Sequence, residues 1–98
     1  MIYGTAVWTV KAGSEEEFRR AWQASADQAS PDLPGVVFRL FRDADSPSRF
    51  VSLTGPWRGR EQLEQARGSE AFQRALATLR ALVEDAQLSA LELVTEVS

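Results

Sequence analysis

The 98-residue chain has no cysteine and no histidine. The first absence excludes disulfides, thiolate nucleophiles and thiol-ligated metals, and it leaves the redox compartment unread. The second removes the commonest general base and the commonest transition-metal ligand. A Ser-His-Asp triad, a His-rich metal site and a proximal-His haem site are impossible within such a chain. A glycine-rich phosphate-binding loop is missing as well. The expectation is a protein with no metal, haem, flavin or other cofactor.

Lysine is nearly absent: Lys11 stands alone, and the other ten of the eleven basic residues are arginine. They are scattered along the chain. With a net charge of −3 and a pI near 4.9, there is no basic face of the kind that binds nucleic acid. No apolar run approaches the ~20 residues that span a bilayer. Met1-Ile2-Tyr3-Gly4 has neither a basic n-region nor a small-residue cleavage site. These features lead us to expect a cytoplasmic protein with neither nucleic acid nor membrane as partner. A hydrophobic content of 44% and a charged content of 26% are ordinary, and the length suits one domain over residues 1–98.

What is present reads as alternating strands and helices. Ile2 to Val10 is rich in β-branched and aromatic residues and reads as a strand. Gly4, Ala6, Trp8 and Val10 share one face; Tyr3, Thr5, Val7 and Thr9 share the other. After the Ala12-Gly13 turn, Ser14 with Glu17 forms a capping-box pattern for a helix, and Glu15 and Glu16 suit its dipole. Phe18, Ala21, Trp22, Ser25 and Ala29 make that helix's apolar stripe. Leu33-Pro34-Gly35 is a turn. Val36 to Asp43 and Ser48 to Trp57 follow as strands, joined by the loop residues Asp43-Ala44-Asp45-Ser46-Pro47.

Arg60 to Ala66 forms a short helix that Arg67-Gly68 should break. Ser69 caps the next one, whose stripe runs Phe72, Ala75, Leu76, Leu79, Leu82, Val83 and Ala86. Leu88 to Val97 alternates and reads as the last strand. The order β-α-β-β-α-α-β matches the ferredoxin-like α+β plan, a four-stranded antiparallel sheet with helices on one face. The second sheet face, assigned Tyr3, Val7, Phe41 and Phe50, is too apolar to face water. Two copies packing sheet to sheet, a homodimer, cover it; loops or a frayed terminus are the other way to do so.

The opening strand with Val10-Lys11-Ala12-Gly13 and the Glu-rich helix start belong to a wider pattern. So do Leu33-Pro34-Gly35, Arg42-Asp43, Ser52 to Trp57, and Ser69-Glu70-Ala71-Phe72. In this order and spacing the chain resembles the antibiotic-biosynthesis monooxygenases, of the dimeric α+β barrel fold. The likeness covers nearly its whole length. That resemblance implies either a cofactor-independent oxygenase of aromatic compounds or a relative without catalysis. In the quinone-forming members a strand-three Trp works with an Asn, a Tyr and an Arg. Trp57 matches the first, while the other places hold Leu53, Leu63 and a position near Gln73. The haem-degrading pattern fails, since its Asn, Trp and His fall near Ala6, Ala66 and Leu76.

The candidate site lies between sheet and helices. Small Gly4 and Ala6 leave space there, to be surrounded by Trp8, Trp22, Phe38, Leu40, Leu53, Trp57 and Phe72. Such a space suits a small, planar phenol or quinol, with dioxygen as co-substrate if the protein is catalytic. Trp57 and Arg42 are the candidate catalytic residues, Arg42 to stabilise an anionic oxygen. Ser25 is a possible donor, although such a serine commonly bonds back to its own helix. The indole N–H groups of Trp22 and Trp57 are further donors. Each tryptophan has a plainer reading as core. Arg42 has one as a solvated strand end. Arg39, Ser52 and Thr54 are assigned to the opposite face. Glu15-Glu16-Glu17 is a helix start and not a metal site, and Asp43 and Asp45 are turn residues. A dimeric ligand-binding or accessory domain is the alternative function.

Overall fold

The computed structural model describes residues 1–98. β1 (Ile2–Val10) leads through a turn into α1 (Glu15–Ala29), which ends in a single 3-10 turn at Ser30–Asp32. β2 (Val37–Asp43) and β3 (Ser46–Trp57) form a hairpin; α2 (Arg60–Gly68) and α3 (Glu70–Arg80) follow, and β4 (Val83–Glu92) completes the sheet. The strands lie in the order β2-β3-β1-β4, each antiparallel to its neighbours. This is the α+β ferredoxin-like arrangement that the order of elements predicts.

Local signals account for many of the boundaries. Ser69 Oγ accepts from Phe72 N at 3.1 Å and caps α3. Asp43 Oδ1 accepts from Asp45 N at 2.9 Å and shapes the β2–β3 turn. The capping box at Ser14 does not form: Ser14 makes no side-chain cap. Glu15 holds the helix start instead, accepting from Gly13 N and from Ser48 Oγ, each at 2.8 Å. Its own backbone N–H first, then the Ser48 and Gly13 bonds, draw the Glu15 carboxyl below its ordinary value, and the Ser48 bond ties α1 to β3.

Three elements depart in extent from the sequence reading. The stripe through Leu82, Val83 and Ala86 continues a helical period, yet α3 stops at Arg80 and Val83 already belongs to β4. The final strand is Val83–Glu92 in place of residues 88–97, because the edge of β1 provides its partner: Ile2 faces Glu92 and Val10 faces Val83. Pairing with β1 overrides a weak local preference. At the other helix, Arg67 and Gly68 do not break α2; they form its last turn.

A further departure concerns the faces of β3. Phe50, Ser52 and Thr54 pair with Trp8, Ala6 and Gly4 and share their helix-facing side. Leu53 therefore turns to the outer face, and Phe50 is core, 2% exposed. Strict alternation back from Trp57 gives the opposite result. The reason is a bulge: Ile2 pairs with Trp57 but Gly4 with Thr54, so β3 carries one extra residue there. Gly55 lies in that bulge with φ +144°, and a Cβ on it would come 2.6 Å from the Tyr3 ring.

Two apolar clusters hold the helices on the sheet. Phe18 is fully buried, with its ring 5.3 Å from Trp8 and 5.2 Å from Phe50; Ala6, Val10, Leu79 and Val83 complete that group. Val36, Trp57 and Leu63 form the other. Only 13 of the 98 residues are buried. So small a core reflects two features: the outer sheet face is uncovered, and a cavity separates the helices from part of the inner face.

Candidate active site

The cavity has a volume of about 460 Å³ and is lined by members of both clusters. Its floor is the helix-facing side of the sheet: Gly4, Ala6, Trp8, Ser52, Thr54 and Trp57. Phe38 and Leu88 extend it on the two sides. Trp22 and Ser25 project from α1, Phe72 and Leu76 from α3, Leu63 and Arg67 from α2. Small residues on the helices, among them Ala26, Ala29 and Ala75, keep the roof away from the floor.

The structure thus brings Gly4, Ala6, Trp8 and Trp22 around one space, together with Ser25, Phe38, Trp57 and Phe72. It does not bring Leu53 or Arg42 there. Leu53 is on the outer face for the reason given above. Arg42 pairs across the hairpin with Phe50, and its guanidinium carbon lies 4.9 Å from that ring's centroid. It covers the core beside the start of α1, where its charge also helps to lower the Glu15 carboxyl. An anionic oxygen in the cavity is out of its reach.

The polar groups of the cavity are few and mostly committed. The Trp8 indole N–H donates to Ser52 Oγ at 3.1 Å, and the Trp57 indole N–H donates to Thr54 Oγ1 at 3.1 Å. The Trp57 indole is therefore not the free donor that the sequence suggests, whereas the Trp22 indole donates to no protein group. Thr54 in turn donates to the Gly4 carbonyl at 3.4 Å. Ser25 Oγ donates to the Ala21 carbonyl at 2.9 Å, the back-bond expected of such a serine. Ser52 differs. It accepts from Trp8, and no protein group takes its own hydroxyl proton, so this buried serine can donate to a guest.

Ser52, Thr54 and Arg67 are among the polar lining groups that sequence reading missed. The bulge hides the first two, since one extra residue reverses the faces of β3. Arg67 is half-buried at the end of α2 and donates through Nη2 to the carbonyls of Thr5 at 3.3 Å and Ser89 at 2.9 Å. Burial pushes its pKa down from the usual arginine range. Its side chain reaches sheet residues far away in sequence, so no local pattern signals it. Asp32, exposed on the 3-10 turn, is the other ionisable side chain that lines the cavity.

No helix in the molecule is long and apolar enough to cross a membrane. Among solved structures, the chain is similar to a mutant of SnoaB, a cofactor-independent oxygenase from Streptomyces nogalater. The TM-score is 0.84 at 21% identity, covering 98% of this chain and 95% of that one. A candidate antibiotic biosynthesis monooxygenase from Deinococcus radiodurans is also similar, with a TM-score of 0.84, 16% identity and coverage of 100% and 97%. A third, from Caulobacter crescentus, has a TM-score of 0.83 at 20% identity, with 96% and 90% covered. At such identities the likeness establishes the fold. No curated protein matches the sequence. The family model for antibiotic biosynthesis monooxygenases, however, matches residues 1–78. That span holds β1 through most of α3 and all but one of the cavity residues named above, and the chain belongs to the antibiotic biosynthesis monooxygenase family.

Proposed function

We propose that this protein is a cofactor-independent oxygenase that oxidises a fused-ring phenol in the cavity, using dioxygen. The observation that carries the reading is the cavity itself: about 460 Å³, walled by Trp8, Trp22, Trp57, Phe38 and Phe72. That volume lies within the range of small-molecule sites, and aromatic walls suit a planar guest. An electron-rich phenolate can pass one electron to O₂ directly. The phenoxyl radical and superoxide then combine at a ring carbon, and the resulting hydroperoxide loses water to give a quinone. Phenol plus O₂ becomes quinone plus H₂O, with O₂ as the oxidant. The protein's part is to hold the ring, favour its anion and exclude bulk water. The Ser52 hydroxyl is placed to donate to an oxygen of the guest.

The second reading is a ligand-binding or accessory domain of the same fold. It is favoured by the small number of uncommitted polar groups: both floor indoles and Ser25 are already bonded within the protein. Oxygen uptake distinguishes the two. With a dihydroxynaphthalene as substrate, the oxygenase consumes one O₂ per quinone formed, above the uncatalysed rate. Trp57→Phe, which removes the bond to Thr54 and part of the wall, should slow uptake about tenfold or more while the protein stays folded. Quenching of tryptophan fluorescence by the phenol with no added oxygen uptake would leave the binding domain.

We also read the outer sheet face as the contact with a second copy. Val37, Phe41 and Leu91 are exposed on it or at its edge, and the segment after β4 adds exposed Leu93, Val94 and Val97. A core of so few buried residues is in keeping with a fold completed by association.

A further inference from the structure

Arg67 is the one basic side chain that lines the cavity, and no carboxylate neutralises it. The five ion pairs of the molecule use Arg19, Arg20, Arg49, Arg60 and Arg74, all on exposed surface. Arg67 takes part in none. Its bonds to the Thr5 and Ser89 carbonyls both come from Nη2. A guanidinium has five N–H donors, so the Nε and Nη1 hydrogens have no protein acceptor. The acceptors it does have are neutral and leave its charge uncompensated.

The floor is shaped to admit this group. A Cβ at Gly4 would lie 3.1 Å from Arg67 Nη2 and 2.7 Å from Thr54 Oγ1. Glycine at this position lets the guanidinium approach the sheet beside the Thr54 hydroxyl, at the end of the cavity where Trp57 stands. A cation partly removed from water without a counter-ion carries a desolvation cost. Charge-assisted hydrogen bonds to a guest anion would offset it. We infer that Arg67 makes the cavity selective for planar aromatic guests that carry an anionic oxygen, so that phenols are taken as their phenolates and the parent hydrocarbons gain nothing from it. This rests on the oxygenase reading for its choice of phenols, and it gives that reading its route to the electron-donating form of the substrate.

The sign of the effect is decisive. Asp32 is the other ionisable side chain that lines the cavity, and its charge alone would raise the pKa of a bound phenol. No ionisable group of α1, α3 or the sheet lines it. If Arg67 dominates, the bound phenol becomes more acidic. The test is an anaerobic titration of bound 2-naphthol, with the naphtholate absorption band as readout. A fall of about one unit or more is expected, which equals at least tenfold tighter binding of naphtholate than of naphthol. Arg67→Met should abolish the fall, Arg67→Lys should retain part of it, and naphthalene should bind all three proteins equally. 2-Naphthoate should follow naphtholate, since the recognised group is an anionic oxygen.

An unshifted or raised pKa in the unaltered protein overturns the inference without any variant, and so does failure to bind naphtholate. Equal losses of naphthalene and naphtholate binding in Arg67→Met would assign the side chain a structural role and overturn it too. The oxygenase reading fails separately. A protein that acidifies 2-naphthol but consumes no oxygen with dihydroxynaphthalene keeps the anion site and loses the reaction. One that consumes oxygen with an unshifted pKa does the reverse.

Discussion

Replacing Ala6 with leucine asks whether the space between sheet and helices is open. Ala6 lies between Ser52 and Leu88 in the sheet, is 4% exposed, and lines the cavity floor. Leucine adds three carbons at that point. In a filled core they would force neighbours off their rotamers and cost about 1–3 kcal/mol. In a cavity of about 460 Å³ there is room for them. Each buried methylene is worth about 0.8 kcal/mol, so the change should stabilise the protein by anything from zero to about 2 kcal/mol. Ordering the new side chain consumes about 0.5–1 kcal/mol of that. The two cases differ in sign, which makes the experiment decisive at ordinary precision. Urea unfolding followed by tryptophan fluorescence and circular dichroism measures it, provided the slope with denaturant is unchanged. The same variant should lose binding of 2-naphthol, because leucine occupies the guest's place. Destabilisation by about 1 kcal/mol or more, with naphthol binding retained, would refute the reasoning and return the tryptophans to the role of plain core.

Three further perturbations follow from the faces of the sheet and from the carboxylates. Phe50→Asp should prevent folding, since Phe50 is 2% exposed and its ring packs tilted against Phe18; losing such a ring costs about 3–5 kcal/mol before any charge is buried. Phe41→Asp, on a side chain 51% exposed, should leave the circular dichroism spectrum intact and weaken self-association in sedimentation equilibrium. A monomeric unaltered protein at micromolar concentration would remove the dimer. Glu16 is held at about 2, below its ordinary 4.5, first by its hydrogen bond from Arg19. A carboxyl lowered in the folded state adds stability that is complete above 4.5 and fades as the pH falls toward about 2. The group is exposed, so the contribution is small. Glu16→Gln should flatten this part of the melting-temperature profile, and an unchanged slope would contradict the assignment.

Much of this architecture is written locally. The alternation of Ile2 to Val10 makes a strand whatever surrounds it, and Ser69 before Glu70-Ala71-Phe72 caps a helix by its own side chain. Gly4 and Ala6 beside Trp8 already mark a sheet face with room above it. Trp22, Phe72 and Trp57 are apolar enough to need an interior, and the order of elements admits few ways of building one. These features depend on residues a few positions apart, which is why sequence alone determined the fold plan and most of the cavity wall.

The tertiary structure decided the rest. Val83 to Gln87 have no strong strand preference and continue a helical stripe; only the edge of β1 makes them β4. One extra residue between Thr54 and Trp57 reverses the faces of β3, exchanging Leu53 for Ser52 and Thr54 in the cavity and moving Phe50 into the core. The cation followed the same rule. Arg42 shares the helix-facing side but sits beyond the cavity over Phe50, whereas Arg67 crosses from α2 to the carbonyls of Thr5 and Ser89. Sequence alone determined which side chains must be buried. Where a charge meets a buried space depended on strand register and on helices packed across tens of residues, quantities that have no local signature.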